Sequence, residues 1–94
     1  MVIETTTFRL ADGVDDAAFL AFDEEVRSGF LYHQPGILRA TTARGDNREW
    51  IVVVLWASDD DADAALDAGT NDGTMRRFTD LVAGAQRKRY STID

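Results

Sequence analysis

Few side chains in this sequence are suited to chemistry, and they are widely spaced. His33 is the one histidine, so proton transfer by an imidazole near neutral pH falls to that residue. A cofactor-free cyclase or isomerase could use it as general base; it could equally be a surface group finishing a helix end. Arg39 offers a guanidinium that can hold a carboxylate or enolate through two parallel hydrogen bonds. On an edge strand it could instead reach into solvent or pair with an acidic helix residue. Tyr32 and Tyr90 are possible hydroxyl donors, with core or interface packing as the alternative use. The chain has no cysteine, which excludes thiol catalysis, thiolate metal sites and disulfides. Asp59, Asp60 and Asp61 follow Ser58 and read as the acidic first turn of a capped helix. The spaced oxygens, glycine turn and distal glutamate of a calcium loop are missing. No Ser-His-Asp order, glycine-rich phosphate loop or metal-ligand spacing stands out. Neither metal nor cofactor is expected.

The elements that must position these groups follow from periodicity. Residues 2–10 (VIETTTFRL) are β-branched and aromatic and stop at Ala11-Asp12-Gly13, which predicts a strand and turn. Asp15 or Asp16 can cap a helix whose apolar stripe is Phe19, Phe22, Val26 and Phe30. That helix is expected to end near Tyr32-His33-Gln34, because Pro35 disfavours helical geometry at Gln34. Residues 37–44 and 49–56 read as strands joined by the short polar turn at Gly45–Arg48, hence antiparallel neighbours. If that turn centres on Asp46-Asn47, Ile37 stands opposite Trp56, Arg39 opposite Val54 and Thr41 opposite Val52, which would put Arg39 on the face of Trp56. A second helix from Ser58 to about Ala68 breaks at Gly69–Gly73. A short helix over Thr74–Val82 and a polar edge strand over 85–93 follow.

The order β-α-β-β-α-β predicts one ferredoxin-like α+β domain over residues 1–94. Its sheet should be four-stranded and antiparallel, with the helices on one face. The third strand is apolar at every position from Trp50 to Trp56, so it should be buried on both sides. The chain's own helices can cover one side. A second copy packed sheet to sheet would cover the other, and a homodimer through the sheet face is therefore expected.

Composition narrows the partners. The 94 residues carry a formal net charge of −7, and nucleic acid is excluded because phosphate binding needs a dense basic surface. No apolar run approaches the ~20 residues of a membrane span, and the first residues lack the pattern of a signal peptide. A cytoplasmic protein without membrane contact is the expectation.

Residues 35–58 carry a further pattern. Pro35-Gly36-Ile37-Leu38, a polar strand and turn, a strand ending Val54-Leu55-Trp56-Ala57-Ser58, and an Asp/Ala-rich helix together resemble the antibiotic-biosynthesis-monooxygenase family. That family lies within the dimeric α/β-barrel superfamily, and the resemblance spans nearly the whole chain. It implies a cavity between sheet and helices, lined by Trp56 at the end of the third strand, where an aromatic substrate is oxidised without metal or flavin. The alternative for Trp56 is core filling. Haem-degrading relatives carry a histidine ten residues beyond that tryptophan, where this chain has Leu66, and an asparagine on the first strand, where it has Thr5, Thr6 and Thr7. Haem degradation is thus disfavoured, and Thr5 and Thr7 become candidate substrate contacts.

The resulting expectation is a homodimeric protein binding a small apolar or aromatic ligand, with cofactor-independent oxygenation as its reaction. Trp56 would stack the substrate, and Arg39 or a strand threonine would stabilise negative charge. A cyclase or isomerase using His33 is one alternative. The other is a non-catalytic binding or assembly module whose interior is closed by Phe22, Met75 and Phe78.

Overall fold

A computed structural model describes residues 1–93. Its elements are β1 (Val2–Leu10), α1 (Asp16–Gly29), a 3-10 turn (Leu31–His33), β2 (Ile37–Arg44), β3 (Trp50–Trp56), α2 (Asp59–Asn71), α3 (Thr74–Leu81) and β4 (Val82–Ser91). The four strands form one antiparallel sheet in the order β2-β3-β1-β4. The expected ferredoxin-like α+β fold is present, with α2 and α3 together occupying the place of its second helix.

Local chemistry accounts for the element ends. Asp15 caps α1 by accepting from the backbone N–H of Ala18 at 2.8 Å. Ser58 caps α2 by accepting from the N–H of Asp61 at 3.1 Å, and Asp59, Asp60 and Asp61 occupy the first turn. The first helix ends at Gly29, earlier than expected, and His33 lies in the 3-10 turn that follows. The last strand begins at Val82 rather than 85, directly after α3, because Val82 and Ala83 pair with Leu10 and Arg9. An extra residue on β4 near Gly84 then resets its register against β1. Tyr32 closes the outer edge of β2: its hydroxyl accepts from the Ala40 N–H at 3.0 Å and donates to the Ala40 carbonyl at 3.2 Å. A free strand edge is thereby covered by a side chain.

Strand alternation divides the sheet into two faces. Val2, Glu4, Thr6 and Phe8 of β1 lie level with Trp56, Val54, Val52 and Trp50 of β3, and this set faces the helices. At one end Val2, Val54 and Trp56 pack with Ala62 and Ala65 of α2. At the other, Phe8 and Trp50 pack with Phe19 and Phe22 of α1, with the Phe8–Phe19 and Phe19–Trp50 ring centroids 5.2 and 5.1 Å apart. The opposite face carries Ile3, Thr5 and Thr7 beside Leu55, Val53 and Ile51, all only half-buried.

One register expectation is corrected. Ile37 does stand opposite Trp56, but the pairing then shifts, so that Arg39 meets Leu55, Thr41 meets Val53 and Thr42 meets Val52. Leu38 is the extra residue of a β-bulge, and one inserted residue exchanges the two faces of everything beyond it. Arg39 and Thr41 therefore stand on the sheet face away from Trp56, and Ala40 and Thr42 take the helix side.

The approach of β2 to α2 depends on Gly36. Its φ is +79°, and a Cβ there would sit 2.2 Å from Cγ of Asp61. Asp61 in turn accepts from the Ser58 hydroxyl at 2.9 Å. A Gly36→Ala variant is expected to lose about 2–3 kcal/mol in urea denaturation, from the left-handed backbone together with displacement of Asp61 from its cap.

Candidate functional site

A cavity of about 120 Å³ lies between the helices and the sheet. Its existence traces to residue size on α2. Ala62, Ala65 and Gly69 fall on the inner side of that helix and line the cavity, so space remains where larger side chains would fill it. Val52, Val54 and Trp56 supply the sheet wall, Phe19, Phe22, Val26 and Phe30 the α1 side, and Met75 and Phe78 the α3 side. These walls come from both halves of the core.

Trp56 is 2% exposed, and its Nε1–H has no hydrogen-bond partner. A buried indole N–H ordinarily finds an acceptor, and leaving one unmade costs on the order of 1–3 kcal/mol. Trp56 lines the cavity while its N–H is enclosed by packed atoms, so a ligand oxygen reaches that donor once neighbouring side chains shift.

Two carboxylates reach the cavity wall, each held by its own arginine. Oε2 of Glu4 accepts from Nε of Arg89 at 3.0 Å, and the Glu4 side chain is 14% exposed. Arg89 also meets Asp63 at 2.6 Å and Asp59 at 3.6 Å. The Asp63 hydrogen bond, followed by that of Glu4, holds the Arg89 guanidinium above its usual value. Asp23 pairs with Arg27 at 2.6 Å and accepts from the Thr42 hydroxyl at 2.9 Å. Among the described residues, Oε1 of Glu4 carries no hydrogen bond, so one carboxylate oxygen of this lining residue is uncommitted. Thr6 and Thr74 complete the uncharged polar lining.

The candidate residues read from the sequence separate. Trp56 and Phe22 line the cavity. Thr5 and Thr7 do not: they alternate with Glu4 and Thr6, which do, and project from the other sheet face beside Val53 and Ile51. Arg39 is exposed on that same far face because of the Leu38 bulge. His33 is exposed in its 3-10 turn and lies outside the lining. Glu4, Asp23, Thr74 and Arg87 are polar contributors that sequence reasoning missed, and Thr6 lines the cavity where its neighbours Thr5 and Thr7 were expected. Glu4 was discoverable, since a charged residue within an apolar-alternating central strand occupies a core-facing position once the inward parity of Val2 and Phe8 is set.

The site does not suit a porphyrin. Its lining contains no imidazole, the chain contains no cysteine, and its volume of about 120 Å³ is below even the roughly 300–1,000 Å³ of pockets that enclose drug-sized ligands. Among the described residues, no three His, Cys, Asp or Glu side chains gather to hold a metal ion. No helix among them is long and apolar enough to cross a membrane.

Comparison with known proteins places the fold. No protein-family model matches the sequence, and no curated protein matches it. Solved structures do match. SnoaB from Streptomyces nogalater, a cofactor-independent oxygenase, superposes with a TM-score of 0.83 at 17% identity, over 99% of this chain and 93% of that one. A putative antibiotic biosynthesis monooxygenase from Deinococcus radiodurans gives a TM-score of 0.80 at 11% identity, over 100% and 94% of the two chains. A mutant of MhuD, crystallised with two manganese protoporphyrin IX molecules per active site, gives 0.76 at 17% identity, over 99% and 95%. The chain thus has the architecture of these monooxygenase-like proteins along its whole length. The resemblance read at residues 35–58 holds at the level of fold.

Proposed function

We propose that this chain binds a small, single-ring aromatic molecule in the cavity beneath α2 and, as a homodimer, oxygenates it without a bound cofactor. The observation that carries the reading is Trp56, with a buried Nε1–H that has no partner, in the wall of a largely apolar cavity that a few polar side chains also reach. The likeness in fold to a cofactor-independent oxygenase supports the reaction class. Size limits the ring count: an apolar cavity of about 150 Å³ takes one benzene-sized guest, and at about 120 Å³ this one has no room for a second ring.

In the proposed mechanism a phenolic oxygen of the substrate accepts from Nε1 of Trp56. The free Oε1 of Glu4 takes the proton that ionises the ring. A preorganised donor aimed at the developing oxyanion lowers the barrier without reorganisation, while the aliphatic walls keep water from solvating the anion. The electron-rich ring then supplies all four electrons that reduce O2. One oxygen atom bonds to a ring carbon, the other leaves as water with the two hydrogens given up by the substrate, and the ring ends as a quinone. Glu4, rather than His33, is the base in this scheme because it is the one that lines the cavity.

The dimer belongs to the same proposal. Ile3, Ile51, Val53 and Leu55 cluster on the two central strands of the uncovered face, with Arg39 and Lys88 on the flanking strands. An apolar centre within a polar rim suits a two-fold sheet-on-sheet contact.

An oxygen electrode tests the reaction with a panel of single-ring di- and trihydroxybenzenes. Protein-dependent uptake above autoxidation is expected for at least one of them. Binding without any such uptake across the panel would remove the oxygenase reading and leave a binding module. Gly69→Ala provides a control on the site. The added Cβ would contact Met75 and Phe30 at 3.4 Å, inside the cavity lining. Helix propensity favours alanine by about 1 kcal/mol, so thermal stability should hold or rise while ligand affinity and uptake fall.

A further inference from the structure

We infer that Arg87 selects the substrate: the ring that enters this cavity carries a carboxylate, which the Arg87 guanidinium holds at the side of the cavity away from Trp56. The inference rests on the cavity reading above and adds the chemical class of the ligand.

Among the cavity's charged residues, Glu4 and Asp23 are each matched by a partner, Arg89 and Arg27. Arg87 is the remaining charge in the lining and the one cation there. Among the described residues it forms no ion pair, and its polar contact is to Sδ of Met75, 3.8 Å from Nη2. A thioether is a weak acceptor. The planar fork of an arginine at the exposed rim of the cavity is thus left with most of its donors free, and a carboxylate is the anion whose geometry that fork matches in pairs. The chain's net charge of −7 repels anions at long range, so recognition of an anionic ligand has to come from a local cation such as this one.

Placement supports a short bifunctional ligand. Arg87 lies level with Thr6, and Trp56 lies level with Val2, four residues away along β1. Strand rise and strand spacing put their Cα atoms about 16 Å apart, from about 13 Å along the strands and about 10 Å across two spacings. Both side chains rise from the same helix-facing side of the sheet, so a ring against Trp56 can extend an acidic arm along the cavity toward Arg87.

The test uses three probes: 4-hydroxyphenylacetate, its neutral amide, and phenol. Binding is followed through the indole N–H resonances of the two tryptophans, assigned with Trp50→Phe. In the wild type all three should shift the Trp56 resonance, and the acid should bind about tenfold more tightly than the amide. Arg87→Gln should abolish that preference and leave phenol binding unchanged. Arg87→Lys, which keeps the charge and loses the fork, should retain part of it. Arg87 is exposed on an edge strand, so these variants are expected to fold. Equal binding of acid and amide by the wild type, or an undiminished preference in Arg87→Gln, overturns the assignment while phenol still reports an open cavity. If none of the three moves the Trp56 resonance, the cavity reading fails and the role of Arg87 fails with it.

Discussion

Val53→Asp is expected to run as a folded monomer in size-exclusion chromatography at micromolar concentration, and the wild type, on the dimer proposal, at twice that mass. Val53 stands on the uncovered sheet face, between Thr5 of β1 and Thr41 of β2. In an isolated subunit an aspartate there projects into water among threonines, and the loss is one of strand propensity, about 1 kcal/mol at most. In a two-fold sheet-on-sheet contact the same carboxylate is buried without a partner and occurs twice. Each copy then costs on the order of 2–5 kcal/mol, enough to shift a dimer by several decades in concentration. Far-UV circular dichroism should show retained structure in the variant. A wild type that is already monomeric at micromolar concentration would end the dimer proposal, and a variant that stays dimeric would move the interface to another surface.

Trp56→Phe should separate binding from stability. The substitution removes a buried donor that has no acceptor, so the penalty of that orphan disappears along with part of the packed area. The two changes oppose each other, and urea denaturation should register a difference within about 1 kcal/mol. Ligand affinity behaves differently, because the ligand loses both stacking area and a hydrogen bond to its oxygen. A loss of tenfold or more is expected for a phenol. Fluorescence gives the readout. Trp50 sits about 20 Å away along β3, packed on Phe19 and under the guanidinium of Arg44. A phenol should therefore perturb a Trp50→Phe variant, which reports Trp56 alone, and leave Trp56→Phe almost silent. Strong destabilisation of Trp56→Phe, with neither tryptophan responding to any ligand, would make Trp56 a core residue.

Much of the architecture was legible because its signals are local. The stripe of Phe19 and Phe22 on α1, the caps at Asp15 and Ser58, and the apolar run from Trp50 to Trp56 each report on a neighbourhood of a few residues. Chain connectivity then restricts how such pieces assemble. The site was less legible, and the reason is parity. Three consecutive threonines on β1 look alike in isolation; the inward parity of Val2 and Phe8, fixed by the pairing of β1 with β3, puts Thr6 inside. On β2, the inserted Leu38 turned Arg39 outward, and nothing in Ile37-Leu38-Arg39 marks a bulge, because Leu38 is itself a competent strand residue. His33 was drawn to a helix end whose backbone instead tightened into a 3-10 turn.

The sequence by itself determined the element order and the two-faced sheet, since both follow from local pattern. The inward placement of the two tryptophans does not, because β3 is apolar at every position from Trp50 to Trp56 and its facing is settled by its pairing with β1. The tertiary structure alone decided which polar groups share the cavity. Glu4, Thr6 and Arg87 come together because β1 lies between β3 and β4, with Glu4 beside Arg89 and Thr6 beside Arg87. The cavity itself is a difference between the span of the helices over the sheet and the volume of Ala62, Ala65 and Gly69 beneath them. A volume left between elements is a property of their packing, and no single segment of the chain contains it.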